Sequence, residues 1–351
     1  MKWIQKRSVL FVLSIILTVV LLSACGSSNN NQASNNQGSN DENSNDSEKV
    51  EVTEIKMAYP STPDFTDVAS LLVWDNPPEG LKVNYEFMAK ADIAIQGVVQ
   101  GNFDIGAAPA ITVLSAIDSG MPIKIFAEQM KNEFALLTPS TITKPEDLQG
   151  KVMAIHGPNT LTDALVRSTI QKYGLDKAKV LTIPGSEVRA QALMKGEIDA
   201  TPAEISDVIN VRKTAGDKFH ILAAYPQEYP LVNGTVFFTT DKFLNENPEK
   251  VKLFTKAILE GYRKVYEDPN FLKQNATKHL KEMDQETINE LADTYLENKV
   301  LDVNGGISKE GGEFTINFNK EMGLLKSDTV TFDKVYNVSI VEEVLKEIGK
   351  K

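Results

Sequence analysis

The residues able to carry chemistry are few. The chain has one cysteine, Cys25, and three histidines, His156, His220 and His279. None stands at a metal-ligand spacing from another His or Cys, so no transition-metal site is expected. Glu128, Glu187 and Glu204 could serve acid–base chemistry, but no paired spacing links them. A Gly-x-Ser-x-Gly elbow, a P-loop and a dinucleotide fingerprint are all missing. Neither metal nor cofactor is called for, and an extracellular enzyme is the weaker alternative to a binding protein. His156, at the end of a strand pattern beside a turn, reads as a bystander rather than a ligand contact.

Binding chemistry is better represented. Two turns, Ser61-Thr62-Pro63-Asp64 and Asn159-Thr160-Leu161-Thr162, each stand between a strand pattern and a helix pattern. Free N–H groups at a helix N-terminus, with the positive end of its dipole, favour an anionic or strongly polar group. The hydroxyls of Ser61, Thr160 and Thr162 add uncharged donors. Helix capping alone accounts equally well for these residue types.

The elements that hold the turns follow from an internal repeat. Gln96–Pro109 reads Gln-Gly-Val-Val-Gln-Gly-Asn-Phe-Asp-Ile-Gly-Ala-Ala-Pro, and Gln191–Pro202 reads Gln-Ala-Leu-Met-Lys-Gly-Glu-Ile-Asp-Ala-Thr-Pro. At an offset of 95, Gln96, Gly101 and Asp104 fall on Gln191, Gly196 and Asp199. Each copy predicts a helix ended by a left-handed glycine and followed by a strand that the aspartate opens. Apolar spacing predicts strands over 54–59, 81–88, 105–107, 123–128 and 134–138, with helices over 65–74, 93–100 and 111–119. The order restarts with a strand over 152–156 and a helix over 161–173. A helix over 206–213 and a strand over 220–224 follow, then an aromatic loop over 225–230. A strand over 235–239 returns the chain to the first lobe, and the remainder is mostly helical. The pattern implies two α/β lobes built on parallel sheets.

At 351 residues, with 42% hydrophobic and 24% charged content, the chain can bury two full cores. Its beginning is different. Lys2, Lys6 and Arg7 precede an apolar run, Val9–Leu22, which ends in Leu22-Ser23-Ala24-Cys25. The run is short for a membrane anchor and fits a lipoprotein signal over residues 1–24, with Cys25 the lipidated residue. Residues 25–49 are Asn, Ser, Gln, Gly and a few acids, a composition that predicts a flexible tether. Loss of the signal removes three positive charges and no negative ones, taking the formal charge from -11 to -14. Nucleic-acid binding is not expected at that charge.

With these features in view, the chain resembles the substrate-binding lipoproteins of bacterial ABC importers. The group is the nitrate/sulfonate/taurine one, which also holds thiamine-pyrimidine-precursor binders. The resemblance rests on Val99–Gly106, Pro145–Lys151, Lys172–Leu175 and Ala192–Ala200, in register from about 52 to 265. It implies a type II periplasmic-binding-protein fold, two α/β lobes that close on a ligand. Lobe 1 would be 50–143 with 235–351, and lobe 2 would be 144–234. The implied ligand residues are Ser61, Thr62, Asp64, Ala108, Pro109, Ala110, Asn159, Thr160, Leu161, Thr162, Glu187 and Glu204, with Met130 near the gap. Tyr59 and Tyr225 are the candidates for aromatic stacking, and Arg189 is expected to be solvated. The implied partners are a small-molecule solute, a permease with its cytoplasmic ATPase, and the membrane through the N-terminal lipid. A monomer at a Gram-positive cell surface is expected. A sulfonate, taurine or nitrate-like anion is the favoured solute. An aminopyrimidine or other heterocyclic vitamin precursor is the alternative, because Glu187 and Glu204 would repel an anion.

Overall fold

The computed structural model describes residues 52–60 and 62–351, a compact unit; Cys25, the tether and Ser61 lie outside the described residues. The chain opens with β1 (Thr53–Pro60), α1 (Phe65–Asp75), β2 (Leu81–Met88), α2 (Ala91–Val99), β3 (Ile105–Pro109), α3 (Ala110–Asp118) and β4 (Ile123–Met130). It crosses to β5 (Ala135–Pro139), then runs through β6 (Val152–Ile155), α4 (Leu161–Tyr173), β7 (Lys179–Thr182), α5 (Ser186–Met194), β8 (Thr201–Ala203), α6 (Ile205–Ala215) and β9 (Phe219–Ala224). The short α7 (Tyr225–Glu228) leads back to β10 (Thr235–Thr240). The helical remainder is α8 (Asp241–Glu246), α9 (Pro248–Glu267), α10 (Pro269–His279), α11 (Gln285–Glu297), α12 (Lys309–Glu321), α13 (Phe332–Val335) and α14 (Ser339–Ile348).

The first sheet has the order β2-β1-β3-β10-β4. Its β1, β2 and β3 are parallel, but the returning β10 runs antiparallel to both β3 and β4. The second region joins β8-β5-β9 to the parallel pair β6-β7 through a bridge between Met153 and Ala200. Both regions are therefore mixed, not purely parallel. The reason is topological: a strand that re-enters a sheet without a crossover helix enters it reversed. β5 pairs with β8 and β9, so the chain leaves the first sheet at residues 131–134 rather than near 143.

The repeat has one structural task in both copies. Gly101 and Gly196 take φ of 77° and 73° and end their helices, as the Gly positions required. The aspartates then act as clamps. Asp104 Oδ2 accepts from Lys56 N at 2.8 Å while Asp104 N donates to Lys56 O at 2.8 Å. Asp199 Oδ2 accepts from Val152 N at 2.9 Å while Asp199 N donates to Val152 O at 2.8 Å. Each carboxylate thus holds the backbone of a parallel strand, β1 at its fourth residue and β6 at its first.

Packing fixes the rest of the first lobe. Phe126 and Phe237 stack on one another, Phe254 meets both edge-on, and Trp74 is tilted onto Phe254. Gly261 lets α9 approach α1 closely, since a Cβ there would meet Val73 Cγ2 at 2.2 Å. The crossovers also touch. An added Cβ at Gly234 would lie 2.4 Å from Met130 O and 2.5 Å from Lys131 C.

Candidate functional site

Ligands of open α/β sheets sit where strands run out into helix N-termini. The first sheet region has such turns at β1–α1 and β3–α3, and the second has the turns that enter α4, α5 and α6.

Four carboxylates from three parts of the chain, at or next to these turns and the first crossover, act on one another electrostatically. Asp64 caps α1, its Oδ1 accepting from Thr66 N at 2.8 Å and from the Thr66 hydroxyl. Glu133 lies in the first crossover and is 4% exposed. Its Oε1 accepts from Tyr295 Oη of α11 at 2.8 Å and its Oε2 from Ile205 N of α6 at 3.2 Å. Glu204 stands at the N-cap of α6, half-buried, and its side chain makes no cap hydrogen bond. Asp207, one turn on, is 6% exposed, and the Ser186 hydroxyl of α5 works against the burial that raises its carboxyl. Asn132, beside Glu133, donates nothing through its buried Nδ2. Glu133 is the residue that sequence reasoning missed. No periodicity marks it, because it falls between two strand patterns.

Electrostatics bind the group together. Burial pushes the Glu133 carboxyl up to about 8, against the pull of Tyr295 and Ile205, and Asp64 and Asp207 add repulsion. Glu204 is raised well above the usual carboxylate range by burial and then by Asp64, Glu133 and Asp207, with Arg189 opposing. Asp64 and Asp207 are raised as well, chiefly by burial. Each of these charges thus adds to the rise that burial causes in its neighbours.

The sign of the pH dependence follows. Below the ordinary value of 4.5 Glu133 is protonated in folded and unfolded chains alike. Between 4.5 and about 8 the unfolded chain ionises while the folded chain keeps its proton, so stability falls as pH rises. We expect Glu133→Gln to gain stability relative to the parent from pH 5 to pH 8 by about 2 kcal/mol, shared protons among the neighbours lowering the isolated figure. Parallel unfolding curves for the two proteins at both pH values would contradict this.

The other expected site residues fall as follows. Ala108 and Ala110 are fully buried, Pro109 ends β3 as the N-cap of α3, and Ala110 N donates to Gly234 O at 2.8 Å. Thr62 is exposed ahead of α1. In the β6–α4 turn, Thr160 Oγ1 donates to Gly157 O at 2.7 Å, and Thr162 Oγ1 accepts from His156 N at 2.8 Å. Those hydroxyls are engaged inside the turn. Asn159 holds a left-handed φ of 60° there, its N–H bonded to Asp163 Oδ2 at 2.9 Å, and Leu161 is buried. Glu187 is exposed on α5 and accepts from Gln191. Met130 is buried in the core of the first sheet.

Three expectations are corrected. Arg189 is not solvated but 1% exposed, its guanidinium donating to Thr201 Oγ1, Pro202 O and Ile183 O at 3.0, 3.3 and 3.4 Å. Tyr59 and Tyr225 are fully buried and offer no stacking face. Trp74 Nε1 and Ser70 bond the Tyr59 hydroxyl, and Thr169 bonds that of Tyr225.

Known proteins share this fold. The chain is 22% identical over 233 residues to the taurine-binding periplasmic protein of Escherichia coli, a match covering 64% of this chain and 71% of that one. Among solved structures, the ligand-binding component of an ABC-type import system from Staphylococcus aureus superposes with a TM-score of 0.67 at 13% identity, covering 83% of this chain and 98% of the other. The alkanesulfonate-binding protein SsuA of Xanthomonas axonopodis pv. citri gives 0.63 at 16%, covering 82% and 99%. These are binding proteins and transport components rather than enzymes, and the fold they share with this chain is that of the periplasmic binding proteins. The NMT1/THI5-like family model matches residues 78–271, from the turn before β2 into α10 and so across both sheets and both crossovers, and the chain belongs to that family.

Proposed function

We propose that this chain is the extracytoplasmic solute-binding lipoprotein of an ABC import system. It captures a small organic solute between two lobes and delivers it to a membrane permease driven by a cytoplasmic ATPase. Residues up to the first crossover and from β10 onward form one lobe, and β5 to β9 form the other. A lipid on Cys25 and the tether after it hold this monomer at the outer face of the cell membrane. The observation that carries the reading is the NMT1/THI5-like family match over residues 78–271, which spans strands of both sheet regions. A solute touching both sides favours the closed arrangement and so shifts the population toward it. The relatives named for taurine and alkanesulfonate point to a sulfonate-like anion, while the carboxylates favour a solute rich in N–H donors, such as an aminopyrimidine.

The test is a melting-temperature screen of the full chain against sulfonates, nitrate, amino acids, pyrimidines and riboflavin. A true solute at a hundred times its Kd stabilises by about 2.7 kcal/mol without being consumed. A screen with no response, or one that yields a product, removes this reading.

A further inference from the structure

We propose that the Glu128 carboxyl is a clasp holding the second crossover to the first sheet, and that the clasp loosens when the carboxyl ionises. The inference does not depend on which solute is bound; it concerns how the two sheet regions are joined. Glu128 lies in β4 and is 3% exposed. Its Oε1 accepts from Asn233 Nδ2 at 3.0 Å and from Gly234 N at 3.3 Å. Those two residues end the second crossover and lead directly into β10.

The rest of the network fixes the same point. Asn233 N donates to Thr315 Oγ1 of α12 at 3.0 Å, and Tyr336 Oη donates to Asn233 Oδ1 at 3.1 Å. The loop between α11 and α12 closes over the carboxyl. Glu128 N donates to Gly305 O at 2.9 Å. Gly306, at a left-handed φ of 68°, lies so close that an added Cβ would overlap Glu128 Oε2 and Cβ. One side chain thus joins β4, the end of the crossover and the α11–α12 loop.

Charge decides how firmly it holds. Two N–H donors on one oxygen favour the ionised form, but burial outweighs them and pushes the carboxyl up to about 7. The titratable groups that face it are Asp302 from the α11–α12 loop, Lys131 from the first crossover, Tyr262 of α9 and Tyr336. Lys131 is itself paired with Asp302 at 3.3 Å, and Val236, opposite Glu128 on β10, brings no charge. Below the ordinary value of 4.5 the carboxyl keeps its proton whether the clasp is shut or open to water. Between 4.5 and about 7 only the open, hydrated form ionises, so opening becomes easier as pH rises and levels off above 7. A shift of that size raises the open population by up to about a hundredfold between pH 5 and pH 8.

Hydrogen exchange of the full chain, corrected for intrinsic rates, would be followed at pH 5 and pH 8 in peptides covering 229–236 and 300–308. Protection in both is expected to fall at least tenfold from pH 5 to pH 8, and by less in α9. Glu128→Gln keeps an acceptor for Asn233 and Gly234 but cannot ionise, and is expected to hold the change below threefold. A parent without the pH response, a variant that keeps it, or an equal fall in α9 overturns the clasp. Should the variant not fold, the Asn233 side-chain amide resonance of the parent gives the same answer. It is expected to titrate with a midpoint of about 7. A midpoint in the ordinary carboxylate range, or no titration, overturns the clasp.

Discussion

Arg189→Met is expected to be among the most destabilising single changes in the protein, at about 3–5 kcal/mol, the range for removing one partner from a buried charged network. Methionine keeps the side-chain volume, so the loss is electrostatic and not a cavity. Arg189 is the cation nearest Glu204 and Asp207, and it opposes the burial and repulsion that raise both carboxyls. It also ties α5 to the two residues at the start of β8, through Thr201 Oγ1 at 3.0 Å and Pro202 O at 3.3 Å. Equilibrium urea unfolding reads the effect as a lower midpoint. The cost should be smaller at pH 5, where more of the acids are protonated, than at pH 8. A change below about 1 kcal/mol at both pH values would mean that the guanidinium is a passive filler, since exposed charges have that scale of effect.

Gly234→Ala is the second large effect, by a different mechanism. Its added Cβ meets backbone and not a flexible side chain: Met130 O at 2.4 Å, Lys131 C at 2.5 Å and Asn132 N at 2.6 Å. One crossover must therefore move away from the other. We expect a loss of about 3 kcal/mol, at the upper end of what overpacking costs. Gly234 N also donates to Glu128 Oε1 at 3.3 Å, alongside Asn233 Nδ2 at 3.0 Å, so the displacement disturbs a buried carboxyl that burial has pushed up to about 7. The distinguishing readout is shape. Small-angle scattering of the solute-free variant should give a larger radius of gyration than the parent, whereas Arg189→Met should not change it. A variant with parental melting and parental scattering would show that the crossovers have slack.

The paired motif was the most legible part of the chain, because glycine needs a left-handed turn and the spacing occurs twice. Helices and strands with strong apolar period, such as β2 and α4, appear at the expected residues. β7 was invisible for the opposite reason: Lys-Val-Leu-Thr is exposed at all four positions, so no buried face imprints a period on it. Pro145 and Gly150 punctuate the sequence, while the change of sheet at residues 131–134 has no local mark. Pairing partners are non-local, and nothing in Ala135–Pro139 itself says which sheet it joins. The site was half legible. Asp64 and Glu204 follow from strand-to-helix turns, but Glu133 depends on Tyr295 and Ile205, residues 162 and 72 positions away. Arg189 was misread because charge suggests solvent, while its donors find carbonyl oxygens that only the folded β8 supplies.

The twin aspartate clamps have a consequence for how this protein can diversify. Asp104 and Asp199 spend their carboxylates on the backbone of Lys56 and Val152, within β1 and β6 and not in the turns that enter the helices. The parts that assemble each lobe and the parts that meet a solute are thus different residues on different loops. A lineage could exchange Glu187 or Glu204 and acquire a new cargo without relearning how to fold. The motif that made the architecture recognisable is, for the same reason, silent about what is carried.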